Sequence, residues 1–424
     1  MRVPGLGAWP TSLVAVALLV QKFGGTSVGD VDRIRAVADH VARTVHRGNQ
    51  VIVVVSAMGK TTDDLIRLGE QVCDGPPPAR EMDMLLTAGE RIAAALVAMA
   101  LQDLRVPAES FTGSQAGIIT DTDHTKAKIL EIRPHRLVEA IEAGIVPVVA
   151  GFQGVSTERD VTTLGRGGSD TTAVALASSL HAGVCEIYTD VSGVFTADPR
   201  VVPNARKIPR ISFEEMLELA ASGGRVLALR SVEFARNFRV PIHVRSSFTW
   251  EPGTWVVEED PSMEQAVVSA IAHDASEVKI TVVRVPDHPG VAARIFRRVA
   301  ERGVNVDMIV QNVSLEGHTD ISFTAPRTER DAALAATREA AAEVGAGDVF
   351  LDEGIGRVSL VGAGMKSHPG VTATMFETLA AKGINIEMIS TSAIRISCVV
   401  RAEVLEDAVV ALHEAFGLHQ EVRS

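Results

Sequence analysis

The chain has 424 residues, 46% of them hydrophobic, with 41 basic and 53 acidic side chains and a formal net charge of −12. That length accommodates two or three domains, each with a substantial core. The acidic balance and the absence of a basic tract exclude nucleic acid and anionic membrane as expected partners. Three cysteines, Cys73, Cys185 and Cys398, lie far apart without metal-ligand spacing. Core packing in a reducing cytoplasm is the expectation they support.

Residues 1–16 read as an N-terminal extension. The stretch 11–20 has the apolar character of a signal peptide, but Arg2 is its only positive charge and no small-residue cleavage site comes after it. No apolar run is expected to reach the length of a membrane span. The run 14–20 predicts a first buried strand. It leads into Lys22-Phe23-Gly24-Gly25-Thr26-Ser27. A paired glycine lets backbone amides approach an anion, and a lysine ammonium beside open amides suits a transferring phosphoryl group. Lys-x-Gly-Gly also occurs in ordinary turns, so its weight comes from the motifs further along the chain.

The β-branched run 51–55 ends at Ser56-Ala57-Met58-Gly59, the run 145–150 ends at Gly151, and 186–188 leads into Thr189-Asp190. Alanine-rich helical stretches lie between and after them, at 30–47, 82–104, 169–182 and 213–221. This alternation predicts an α/β sheet with helices on both faces. In such sheets ligands collect at the carboxyl ends of the strands, so the polar turns there are the candidate site.

Three of these stretches carry chemistry. Thr162-Thr163-Leu164-Gly165-Arg166-Gly167-Gly168-Ser169-Asp170-Thr171-Thr172 is a glycine-rich turn opening a helix. Its bare amides and the guanidinium fork of Arg166 suit anions, with Asp170 at the helix mouth. It lacks the Gly-Lys-Ser/Thr of a phosphate-binding P-loop. Residues 189–200 are rich in side chains able to grip ribose and phosphate, although a surface loop with two aspartates is the plainer reading. Glu90, in Leu86-Thr87-Ala88-Gly89-Glu90-Arg91, is either a site carboxylate or part of a solvated helix face. The twelve histidines show no paired metal spacing.

A boundary is expected near 250–262, which holds Pro252, Gly253, Pro261 and Glu258-Glu259-Asp260. Beyond it the chain repeats at a spacing of 80 residues: His288-Pro289-Gly290-Val291 recurs as His368-Pro369-Gly370-Val371, and Asn305 with Met308 as Asn385 with Met388. Register kept over that distance predicts two small α+β modules packed together. Each Pro-Gly turn opens a helix, which suits the carboxylate of a small ligand. Gly362-Ala363-Gly364 mimics a dinucleotide loop but lacks the third glycine and the βαβ setting.

Together these stretches closely resemble the aspartokinase family, from about residue 17 to 417. The resemblance implies an amino-acid-kinase (carbamate-kinase-like) three-layer sandwich at 17–250, a linker at 251–265, and two ACT modules of ferredoxin-like fold at 266–345 and 346–424. It implies transfer of the ATP γ-phosphoryl group to the β-carboxylate of L-aspartate, giving 4-phospho-L-aspartate on the way to lysine, threonine and methionine. Mg²⁺ would arrive as Mg-ATP, with no protein side chain as its ligand. By the same resemblance Lys22, Phe23, Gly24, Gly25 and Ser56 would meet the phosphates. Thr189, Asp190, Phe195, Thr196, Ala197, Asp198, Pro199, Arg200 and Arg225 would hold the nucleotide. Thr61, Thr62, Glu90, Arg166, Gly167, Gly168 and Ser169 would hold aspartate. Lys22 would be the main catalytic cation, oriented by Asp170. Lysine or threonine would bind between modules at positions matching Asn305, Asp307, Gln311, Val371, Thr372, Asn385, Ile386, Ser392 and Ala393. A homo-oligomer is expected, or an α2β2 assembly with a regulatory subunit started internally near Met263.

The chain departs from the family at three places. Arg225 replaces a usual lysine near the ATP phosphates, Ala393 replaces a usual glutamate, and the loop 314–319 is shorter. These predict altered nucleotide contacts and altered feedback. A kinase for glutamate or its acetyl derivative is the rival within enzymes. A non-catalytic amino-acid sensor is the rival outside them, opposed by intact Lys22, Arg166 and Asp170.

Overall fold

The computed structural model describes residues 17–224, 226–259, 267–312 and 317–420. Arg225 and Met263 therefore lie outside the described residues, as do 1–16 and 314–316 of the shortened loop. The chain divides into two compact units, and the segments Phe195–Arg206 and Leu217–Gly224 belong to the second of them.

The first unit opens with β1 (Leu18–Phe23), α1 (Val31–His46), β2 (Gln50–Val55), α2 (Thr61–Val72), α3 (Ala79–Asp103) and β3 (Ala108–Phe111). β4 (Ile118–Thr120), β5 (Ile129–Ile132), α4 (His135–Glu142), β6 (Val146–Ala150), β7 (Gln153–Ser156), β8 (Val161–Thr163), α5 (Gly168–Ser179) and β9 (Val184–Thr189) come next. Then come β10 (Arg210–Ser212), α6 (Phe213–Ala221), whose last five residues pass into the second unit, α7 (Leu229–Phe238), β11 (Ile242–Ser246) and β12 (Thr254–Val257). Eight strands form one sheet in the order β10-β12-β11-β9-β1-β2-β6-β3, and β5-β4-β7-β8 form a smaller one. The large sheet is parallel from β11 to β3, with β12 antiparallel to β11.

A parallel sheet covered on both faces needs strands that are apolar on both sides, and the buried run Val51–Val55 satisfies that. Val51, Val53 and Val55 share a core with Ile34, Val37 and Val41 of α1 and Ala94, Val97 and Leu101 of α3. Asp30 caps α1 by accepting the Arg33 amide at 2.9 Å. On the other face lies α5, buried from Gly168 to Ala177 apart from Ser169, as expected for a helix apolar nearly all round.

Three expectations are corrected here. The first strand is Leu18–Phe23, so Lys22 lies inside it rather than after it. Polar residues persist there because each finds a buried partner: Gln21 Nε2 donates to Glu186 Oε2 at 2.7 Å on one face, and Lys22 meets Asp170 on the other. The linker does not begin at 251, since β12 pairs with both β10 and β11. Finally, α3, with 25 residues, is long and apolar enough to cross a membrane by length and composition, but half of its most apolar window is buried inside this unit.

The second unit continues with β13 (Ala270–Asp274), β14 (Glu277–Pro286), α8 (Val291–Glu301), β15 (Ile309–Gln311), β16 (His318–Pro326), α9 (Arg330–Val344) and β17 (Val349–Asp352). The later repeat supplies β18 (Ile355–Val361), α10 (Gly370–Ala381), β19 (Met388–Thr391), β20 (Arg395–Arg401) and α11 (Leu405–Ala415). The two sheets run β15-β16-β14-β17 and β13-β18-β20-β19. The repeats are thus nested, not end to end at 345/346. β17 completes the first βαββαβ module, and β13, which precedes that module in sequence, covers the edge of β18 in the second.

Arg357 on β18, 1% exposed, ties the modules together. It pairs with Glu277 at 3.0 Å and with Asp307, and donates to the Ala221 carbonyl at 2.8 Å. Burial lowers the pKa of this guanidinium and raises that of Glu277. Removing the cation strands buried carboxylate. Arg357→Ala should therefore destabilise the second unit by about 3–5 kcal/mol, read as a lower urea midpoint for exchange of the β18 amides. An unchanged midpoint would contradict this role.

Candidate active site

The parallel register places the carboxyl ends of three strands side by side, with Phe23 opposite both Val55 and Tyr188. Successive side chains of β1 point to opposite faces, so Phe23 stacks on Tyr188 while Lys22 turns toward α5. Lys22 Nζ lies 2.6 Å from Asp170 Oδ1 in the first turn of α5. Each residue is 8% exposed.

Around this pair the main chain folds back on itself. The Gly24 amide donates to the Tyr188 carbonyl at 3.1 Å, so it is not open as the sequence suggested. Among the described residues the Gly25 amide is left open, and its carbonyl accepts from Gly59 at 3.0 Å. After β2, Ser56 Oγ donates to Ser169 Oγ at 2.9 Å, joining the strand end to the start of α5. The first-turn amides of Ser169 and Asp170 have no partner among the described residues, as helix starts allow. Gly167 caps this helix with φ +74°, and a Cβ there would come within 2.2 Å of Ala228 Cβ. Gly168 is buried, and Arg166 is exposed with no ion pair or hydrogen bond among the described residues.

Glu90 reaches the site from α3. Gly89 permits the approach, since a Cβ there would lie 2.8 Å from Ala57 Cβ and 3.3 Å from Thr61 Cγ2. Glu90 Oε1 accepts the Ala57 amide at 3.3 Å, and Oε2 is buried without a partner. Burial pushes this carboxyl from 4.5 up to about 7. Thr61 and Thr62 begin α2, with Thr61 Oγ1 donating to the Met58 carbonyl at 2.7 Å. Thr189 ends β9 and its hydroxyl donates to Asp190 at 3.0 Å.

The structure brings Lys22, Gly24, Gly25, Ser56, Thr61, Glu90, Ser169 and Asp170 into one neighbourhood. Phe195 to Arg200 belong to the second unit. Thr196 is 1% exposed, bonds His413 Nε2 through its hydroxyl at 2.9 Å, and accepts the Ile271 amide at 2.8 Å. Ala197 joins a core with Met375, Leu379 and Leu412. Asp198 pairs with Arg200 at 2.6 Å, and Pro199 is exposed.

In the repeats a cavity of about 340 Å³ is lined by His288, Pro289, Gly290, Val291 and Gln311 among others. The other positions expected to meet an effector are not part of that lining. Asp307 is held by Arg357, and the Asn305 amide donates to Glu329 at 3.1 Å. Val371 is buried, Thr372 and Ile386 are half-buried, and Asn385 is exposed. Ser392 Oγ donates to Glu218 at 3.1 Å, beside an exposed Ala393. Asp83, on the Glu90 face of α3 and 0% exposed, is a residue that sequence reasoning passed over. A lone acid in a helical stretch reads as solvated, and nothing local signals its burial.

Comparison with known proteins agrees with this fold. Residues 17–246 match the amino acid kinase family, and 279–343 and 358–416 match ACT domains. The chain is 59% identical over 408 residues to an aspartokinase of Mycolicibacterium smegmatis, covering 95% of this chain and 97% of that one. The structure is similar to E. coli aspartokinase III in complex with aspartate and ADP, an R-state, at 27% identity and TM-score 0.81, covering 94% of this chain and 99% of that one. It is also similar to the T-state of that enzyme in complex with lysine and aspartate, at 27% identity and TM-score 0.73, covering 94% and 99%. The chain belongs to the aspartokinase family, an amino acid kinase domain followed by two ACT domains.

Proposed function

We propose that this enzyme transfers the γ-phosphoryl group of ATP to the β-carboxylate of L-aspartate, giving 4-phospho-L-aspartate for lysine, threonine and methionine synthesis in the cytoplasm. The observation that carries the reading is the Lys22–Asp170 pair, 2.6 Å apart at the carboxyl end of the central strand beside open amides. A carboxylate is ionised at pH 7, so the nucleophile needs no general base. One aspartate oxygen bonds to the γ-phosphorus as the bond to the β–γ bridging oxygen breaks, and ADP leaves. The obstacle is mutual repulsion of two anions. Lys22, the Gly25 amide and the open amides of α5 would offset it, with Asp170 holding the ammonium in place. The nucleotide would enter as Mg-ATP, the ion neutralising phosphate charge. With Asp170 engaged by Lys22, the described side chains suit an ion carried by the phosphates rather than a cage of their own.

Arg166 would take the α-carboxylate of aspartate, and Glu90, whose Oε2 lacks a partner, would take its ammonium. Thr61, Thr62 and Ser169 would complete that pocket, while Ser56, Thr189 and Asp190 would face the nucleotide. The Pro-Gly cavity beside Gln311 would receive an amino-acid effector carboxylate at the start of α8. Two copies of the chain or more, with or without a separate regulatory subunit, would form the working assembly. Ala393, where a carboxylate is usual, supports altered feedback. Assays with lysine and threonine, alone and together, should show weak control, and sharp concerted inhibition would refute it.

Lys22→Ala leaves Asp170 without its cation and should lower the stability of the first unit, while in the folded protein kcat should fall by about 10³-fold or more. Retention of over a tenth of wild-type kcat would contradict the role. Glu90 gives a pH signature. Its folded pKa is raised from 4.5 to about 7, so its stabilising contribution is complete below about pH 4.5 and is lost as pH rises through about 7. The stability of the wild type relative to Glu90→Gln should therefore fall across that window by on the order of 3 kcal/mol, measured by urea unfolding without ligand. Aspartate affinity should rise over the same window in the wild type only. A pH-independent difference would contradict the assignment.

A further inference from the structure

Phosphoryl transfer at Lys22 makes no use of Asp83, although a fully buried carboxylate is costly unless held by donors. Its donors come from two segments outside α3. His124 Nδ1 lies 2.6 Å from Asp83 Oδ2, and the Thr125 amide donates at 3.1 Å, both from the loop between β4 and β5. The Thr163 hydroxyl, at the end of β8, donates to Oδ1. The Ala127 amide donates to the Thr163 carbonyl at 2.9 Å, which locks loop and strand together. Thr163 stands three residues before Arg166. Between them the Leu164 carbonyl accepts from Arg230 of α7 at 3.1 Å, and its amide donates to Phe152 at 2.9 Å. The segment that delivers Arg166 is therefore fastened from both sides.

Asp83 and Glu90 are seven residues apart on one helix, hence on one face and about 10 Å apart along the axis. One rigid element thus carries both the carboxylate assigned to the substrate ammonium and the carboxylate that fastens the Arg166 segment. We propose that Asp83 is a positioning residue for aspartate recognition. Through Thr163 and the 124–125 loop it sets the distance between Arg166 and Glu90, so that the α-carboxylate and α-ammonium of the substrate are read at a fixed separation. An apolar residue at 83 would fill the space without aligning an amide, a hydroxyl and an imidazole from two segments. This inference rests on the roles proposed for Arg166 and Glu90.

The test is a double-mutant cycle on the full chain, following KM for aspartate, KM for ATP and kcat, with thermal unfolding as the check on folding. Asp83→Asn should raise KM for aspartate about tenfold while KM for ATP stays within about twofold. In an Arg166→Ala background the same change should have no further effect on KM for aspartate. A folded Asp83→Asn with unchanged KM for aspartate, or effects that add in the double variant, would overturn the inference. If Asp83→Asn does not fold, Thr163→Val, which removes one hydroxyl donor, is read by the same criteria. Should Arg166→Ala alone leave KM for aspartate unchanged, the proposed substrate role of Arg166 fails instead, so the two failures are distinguishable.

Discussion

A lysine ammonium in the middle of a parallel sheet is tolerated only if something compensates its charge. Here that partner is Asp170, and the rest of the site is arranged around the pair. β1 lies between β2 and β9, so the turns after all three strands converge on Lys22. Asp170 is in turn fixed by α5, buried against the sheet and joined to β2 through Ser56 and Ser169. In the proposed mechanism the pair, which carries no formal net charge, keeps a cation aimed where phosphate would arrive. Charge placed before the reaction costs no reorganisation during it.

The opposite face of the same strands shows how strictly alternation divides the labour. Gln21, one residue from Lys22, bonds Glu186, which also meets Arg245 at 3.0 Å. Burial would raise the pKa of Glu186, but His243, Gln21 and Arg245 outweigh it and hold the carboxyl near 2. That network joins β1, β9 and β11 and faces away from Lys22. A slip of one residue in β1 would exchange the two sets, so the role proposed for Lys22 depends on the register of this strand.

Much of the site was legible because its signals are local. A strand ending in lysine and paired glycines, a glycine-rich helix start, and β-branched runs between alanine-rich helices declare an α/β site at strand ends. What stayed hidden depends on distant packing. Asp83 looks like any surface acid until α3 meets the loop of His124. The 80-residue repeat announced two modules, but local pattern could not reveal that β13 would pair with β18 across a whole intervening module. Nor could it reveal that Thr196, in a polar stretch suited to a nucleotide, is committed to His413. Apolar character alone marks the first strand too early in the chain, whereas ion pairing carries the strand on through Lys22.

The most direct test of the account is a crystal structure with a non-hydrolysable ATP analogue and aspartate bound together. The account predicts the Lys22 ammonium within about 3 Å of a γ-phosphoryl oxygen, with Asp170 still beside it and the substrate carboxylate facing the phosphorus. A Lys22 side chain turned away from the triphosphate, with both ligands bound, would contradict it.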